Sequence, residues 1–415
     1  MTTLWVRPQA SHIACFGVCF YLVGFCFQLQ WDIPLIVLAL AGLAATLTDA
    51  ESIYPWKQPI TNALGFFMIA NIVSLLMSDD MARSWHMSLM LFPALLIFML
   101  LTQYFDKRNL QFLCVTLVFV SLGLTSVLLF IALNHNLEQE GLDPLNPIYS
   151  TLWVKSMACP ILLVPNDIVF ISVLTPFSLA LILQKTNQYL TALAILSILL
   201  GILDMVLLRS RVALIAEFAS LIIMTLFLLK PKQIVLLICG AALLAFLADA
   251  LMGFTLVTKI GFFANSRLSL WLVAWNMFLD APILGHGPHT FVLSYERYLN
   301  AIKLPSWIPI DPRVVPWPHN LYMELLAEQG IIGLMSFSWL MFTVYSLTFR
   351  LLNTNDKHIR IYGACLLASL GSFCLAAVFE LTFLRQWVVV ILFILIGVSY
   401  SLSQYQEQGQ EYECN

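Results

Sequence analysis

The chain has 415 residues, 60% of them hydrophobic and only 10% charged, with a mean hydropathy of +0.89. That balance excludes a soluble domain, and the repeated apolar segments long enough to cross a hydrocarbon core of about 30 Å predict an all-α polytopic membrane protein over a barrel. The formal charge of −3 is supplied by Glu407, Glu411 and Glu413 near the C-terminus; no basic stripe remains to attract nucleic acid.

In chain order, spans are predicted at 12–29, 33–48, 60–77, 85–101, 110–133, 167–183, 189–207, 212–229, 234–256, 321–349, 359–380 and 387–402, about twelve helices. Arg7 precedes the first span and no small-residue cleavage site follows it, so it reads as a retained helix and not as a signal peptide. The second is short, whereas the tenth is long enough to tilt or to begin outside the hydrocarbon. Residues 1–402 read as one transmembrane domain, with 257–320 as its one large external loop between helices 9 and 10, and 403–415 as a polar tail. Seven of the nine cysteines, Cys15, Cys19, Cys26, Cys114, Cys239, Cys365 and Cys374, fall in apolar segments, where a thiol packs as a small hydrophobe; no disulfide framework is predicted.

Orientation follows from Lys and Arg in the short loops. Ten lie on the side of both termini (Arg7, Lys57, Lys107, Arg108, Lys185, Lys230, Lys232, Arg350, Lys357 and Arg360) and five on the other (Arg83, Lys155, Arg209, Arg211 and Arg385), which predicts cytoplasmic termini. With twelve spans, Arg209, Arg211, Arg267 and His319 then share the extracytoplasmic face. Within the loop, Ser266 to Leu279 is apolar but interrupted and suits a helix against the interface. Asp280 to His289 breaks that helix repeatedly, Tyr295 to Ile302 is predicted helical, and proline-rich coil follows to Pro318.

Several groups on this face can carry chemistry. Arg209-Ser210-Arg211, at a tight turn between spans, reads either as a pair of interfacial anchors or as a two-pronged clamp for phosphate; Asp204 and Glu217 lie below it on their helices. Arg267 follows Asn265-Ser266, a plausible helix cap, and is alternatively ordinary surface charge. His286-Gly-Pro-His289 has neither metal-ligand spacing nor a carboxylate pattern beside it, so no metal site is expected there, and Gly285 and Gly287 read as turn residues. Pro316 and Pro318 forbid regular helix just before His319, which therefore sits where a loop enters a span, as a capping group or as a general base. Glu380 and Arg385 flank the last two spans on the same face and could pair. Trp307 and Trp317, among the prolines, offer either an interfacial belt or an aromatic edge for a sugar face.

Three separated stretches resemble the O-antigen ligase and O-antigen polymerase family of bacterial envelope glycosyltransferases, and the ligase branch most closely. They are Leu208-Arg209-Ser210-Arg211; Ser266-Arg267-Leu268 with Trp271, Trp275, Pro282, Gly285 and Gly287; and His319-Asn320 with Tyr322, Glu328 and Gly330. The resemblance implies a C-type glycosyltransferase-like fold and an inverting transfer that uses no metal and no other cofactor. It implies an undecaprenyl-diphosphate-linked glycan as donor, lipid A-core as acceptor, and a periplasmic site on a multi-pass protein of the bacterial inner membrane. In that reading His319 is the base, Arg211, Arg267 and Arg209 hold the diphosphate, and Asn320, Tyr322, Glu328 and Arg385 support them. O-antigen polymerase and protein O-oligosaccharyltransferase share the motifs and stay open. A lipid-linked glycan transporter is the non-enzyme alternative; it predicts repeated halves and polar groups near the midplane, whereas the candidates here gather at one face.

Overall fold

The computed structural model describes residues 8–27, 32–49, 59–139, 165–185, 187–207, 210–228, 267–310, 315 and 317–413. Among them every regular element is helical and none is a strand. The first six helices are α1 (Pro8–Cys26), α2 (Asp32–Thr48), α3 (Ile60–Leu76), α4 (Met81–Ser88), α5 (Leu91–Tyr104) and α6 (Lys107–Gln139). After a 3-10 turn at Pro165–Ile168 come α7 (Val169–Leu183), α8 (Gln188–Leu207) and α9 (Arg211–Leu228). The last five are α10 (Arg267–Asp280), α11 (Phe291–Ala301), α12 (Leu321–Arg350), α13 (Lys357–Phe379) and α14 (Gln386–Glu413). Among the described residues, eight helical segments are long and apolar enough to cross a membrane, and α2, α3 and α7 are shorter apolar helices. The chain is thus a multi-pass membrane protein. The ninth expected span, 234–256, lies outside the described residues.

The expected span 85–101 divides: α4 is short and carries Arg83, Ser84 and His86, and α5 follows after a turn. The last helix does not stop near 402 but continues to Glu413. Burial ranks the helices. In its most apolar window α14 is 94% buried and α13 78%, against 28% for α8, so the C-terminal pair forms the centre and α8 the rim. Around that centre α5 packs on α14, α3 on α12, and α7 and α9 on α13. Apolar burial gives little drive between helices in lipid; the close approaches come from small residues such as Gly17 against Ala41 and Gly371 against Ile223.

Outside this bundle, α10 and α11 share a separate core with α12. Leu270, Val273 and Met277 of α10 meet Phe291, Tyr295 and Tyr298 of α11 and Ala327 of α12. α10 covers the first helix expected in the loop and α11 (Phe291–Ala301) the second; the expected cap, Asn265-Ser266, lies outside the described residues.

The long helix α12 is broken. Gly330, at φ 64° and ψ −163°, takes a backbone conformation open essentially to glycine alone, so Leu321 to Gln329 forms a separate first stretch. The break leaves main-chain groups without helical partners, and the loop after α10 supplies them. Ile331 N–H donates to the Pro282 carbonyl at 2.9 Å and Ile332 N–H to that of Ile283 at 3.3 Å; in return His286 and Gly287 donate to the carbonyls of Ala327 and Glu328 at 3.2 and 2.8 Å. Ser74 of α3 adds its hydroxyl to the carbonyls of Leu284 and Glu328. The backbones touch: a Cβ at Gly285 would lie 2.2 Å from the carbonyl carbon of Glu328, and one at Gly330 2.4 Å from that of Ile283.

Candidate functional site

His319 stands at the entry of α12, between Pro318 and the helix cap. Asn320 is that cap: its side-chain oxygen accepts from the amides of Tyr322 and Met323 at 3.0 and 3.1 Å, closing two of the donors a helix start leaves open. His319 itself sits at φ 52°, in the sparsely populated left-handed region, which turns its ring away from the helix and toward the end of α13. There Glu380, immediately after α13 and 3% exposed, presents Oε1 to Nδ1 of His319 at 3.2 Å. The other oxygen of the same carboxylate takes Nη2 of Arg267 at 2.5 Å. Arg267, Glu380 and His319 thus form one linked chain across three elements.

A second chain supports the first. The indole nitrogen of Trp317 lies 3.3 Å from Nδ1 of His319, and the guanidinium of Arg385 lies 4.7 Å from the Trp317 ring centroid. Arg385 is in turn bonded to Asp167 in the 3-10 turn before α7, both side chains buried. Of the two residues expected to pair, Glu380 thus bonds Arg267 and His319 and Arg385 bonds Asp167.

The remaining expected residues are spread. Arg211 is exposed and opens α9, which packs along α13 and against the turn carrying Asp167. Arg209 lies outside the described residues. Tyr322 donates its hydroxyl to the Cys374 carbonyl, tying α12 to α13. Glu328 faces the loop before α11, where its carboxylate accepts from the amides of His289 and Phe291 at 2.6 and 3.0 Å and so caps that helix.

The two loop histidines have separate surroundings. Both ring nitrogens of His286 are engaged, Nδ1 with Asp79 at 2.8 Å and Nε2 with the Met277 carbonyl at 3.1 Å. His289 is buried among Glu324 and Glu328, and Arg83 donates to its carbonyl at 2.9 Å. Burial, with the Arg83 guanidinium beside it, pushes the His289 imidazole down to about 4. Gly285 and Gly287 have positive φ and are turn residues, as expected.

Sequence reasoning assigned Glu380 no contact with Arg267 or His319. Those partners are 113 and 61 residues away, and no local spacing encodes the pairing. The available signal was a carboxylate placed at the end of a span on the face where cations gather.

Chemically, the arrangement joins a guanidinium and an imidazole through one buried carboxylate. No curated protein matches the chain. Residues 196–338, from within α8 past the Gly330 break, match the family model described as O-antigen ligase. The match takes in Arg211, Arg267 and His319 and stops before Glu380. Over residues 196–338 the chain is thus similar to the O-antigen ligase family.

Proposed function

We propose that the chain transfers a glycan from undecaprenyl diphosphate to lipid A-core on the periplasmic face of the bacterial inner membrane, with inversion and with no metal at the reacting diphosphate. The observation that carries this reading is the chain Arg267–Glu380–His319, a cation and a base held in fixed relation by one buried carboxylate.

A diphosphate is a good leaving group, so stabilising its departing charge is the larger task and protonating it the smaller one. Arg267 offers its guanidinium to that charge, and Arg211 and Arg209 join it there. The acceptor hydroxyl attacks the anomeric carbon from the side opposite the carbon–oxygen bond to the diphosphate; that bond breaks as the new one forms, which inverts the centre. The hydroxyl proton goes to Nε2 of His319. For this, Nδ1 carries the resting proton and donates it to Glu380, which orients the ring and then faces the imidazolium that forms. Glu380 is a positioning residue, and so is Trp317, held under Arg385. The exposed Trp307 adds an aromatic face outside for the glycan. Both termini are cytoplasmic in this reading.

The acceptor is tested in cells lacking the protein, by sizing surface lipopolysaccharide and extracting the carrier-linked pool. A ligase leaves polymerised glycan on the lipid carrier and bare lipid A-core outside. Lipid A-core capped with a single repeat would replace this reading with the polymerase.

A further inference from the structure

One cluster of buried polar groups lies apart from the Arg267–Glu380–His319 chain. Glu324 and Glu328 stand one turn apart on the first stretch of α12 and face the loop before α11, so that His289, Glu324 and Glu328 each offer a ligand atom within 4.8 Å of the others. Their exposures are 7%, 2% and 2%. Glu328 accepts two amides, and Glu324 accepts the Phe383 amide through Oε1 at 2.9 Å. That leaves Oε2 of Glu324, Nδ1 of His289 and Oε1 of the neighbouring Gln329 buried with no partner. Oε2 of Glu324 accepts when the acid is ionised, the amide oxygen of Gln329 always accepts, and Nδ1 of His289 accepts in one tautomer. A cavity of about 20 Å³ is lined by His289, Glu324, Glu328 and Gln329, with Asn71 and Phe383. It holds one particle the size of a water and nothing larger.

Burial of two carboxylates beside one guanidinium, Arg83, leaves negative charge uncompensated, which costs several kcal/mol unless a cation or a proton neutralises it. We propose that His289, Glu324 and Glu328 hold one divalent cation of the zinc or manganese class, with Gln329 Oε1 as a further ligand. An imidazole nitrogen among carboxylate and amide oxygens favours these ions over calcium or magnesium. Ligands around a tetrahedral ion with bonds of about 2.1 Å stand about 3.4 Å apart, so atoms that lie within 4.8 Å of one another reach that spacing by side-chain rotation. The ion is structural. It ties the loop before α11 and the first stretch of α12 to the turn at Phe383, which lies three residues after Glu380, and so fixes the supports of His319 and Glu380. No step of the transfer runs through it.

The test uses the full-length, tag-free protein in detergent, stripped with a strong chelator and then given zinc or manganese chloride. The expected result is about one ion per chain after gel filtration, with a raised unfolding midpoint. X-ray absorption of the zinc form should show a nitrogen and oxygen shell with an imidazole. Glu324→Gln and His289→Ala should lose the ion, while His286→Ala keeps it. Reloaded wild-type protein that retains neither metal and melts unchanged would overturn the proposal, as would sulfur scattering or stoichiometric binding by both variants. The wild-type measurements decide even where a variant fails to fold. Because the readout is bound metal, its failure leaves the transferase reading untouched, and failure of that reading leaves the ion in place.

Discussion

The left-handed backbone of His319 is strain kept at one residue, and the groups around it are what keep it. Asn320 caps the helix just after it, Glu380 and Trp317 both address its Nδ1, and Nε2 is left for chemistry. We expect His319→Ala to lower transfer by the purified enzyme by about 10²- to 10⁴-fold, the usual range for a positioned base, with expression and donor binding retained. Near-normal turnover would remove His319 from the mechanism. Glu380→Gln keeps the shape but loses the charge that Arg267 and the imidazolium share. Its expected signature is a lower kcat and an altered pH profile with little change in KM, which a merely structural residue would not give. Arg267→Lys should also impair turnover despite the retained charge, because an ammonium cannot bind a carboxylate and a phosphate through separate prongs of one planar group. His319, Arg267 and Asn320 could be named from the sequence because their motifs are local. The partner that joins two of them could not, since it arrives from another helix.

At the scale of the element, the break in α12 decides where the site lies. Its apolar run continues across Gly330, so hydropathy reads one long helix; only the positive φ and the loop bonded into the gap reveal two. Gly330→Ala should destabilise the protein by about 1–3 kcal/mol from backbone strain alone, more if Ile283 cannot move aside. Gly285→Ala should act similarly through its collision with Glu328. Thermal unfolding in detergent measures both, and unchanged midpoints would show that the interlock yields easily. The start of α10 was legible because Arg267 opens an apolar pattern. The split into α4 and α5 was not, since the apolar run from Trp85 onward hides the turn between them.

Over the whole molecule, the central place of α13 and α14 and the peripheral place of α8 follow from burial, and no count of apolar residues ranks them. The positions of the described apolar helices were largely readable, because length and hydrophobicity are local properties, although eight of the segments and not twelve are long and apolar enough to cross. Which helices touch is set by small residues and shape, which hydropathy does not carry. In the orientation proposed, a membrane-impermeant thiol reagent on intact spheroplasts should label a single cysteine introduced at Trp307 and spare one introduced near Glu407. The reverse pattern would invert the topology and move His319 to the cytoplasm.

The loop after α10 is stitched to α12 through main-chain atoms, so the letters at Ile283, Leu284 and Ala327 matter less than the path of the chain. Relatives can drift there in sequence while remaining interchangeable in shape, but only as a block. A chimaera that takes residues 267–333 together from a relative should fold, whereas one whose junction falls between 290 and 320 would inherit a loop cut for one notch and a helix notched for another.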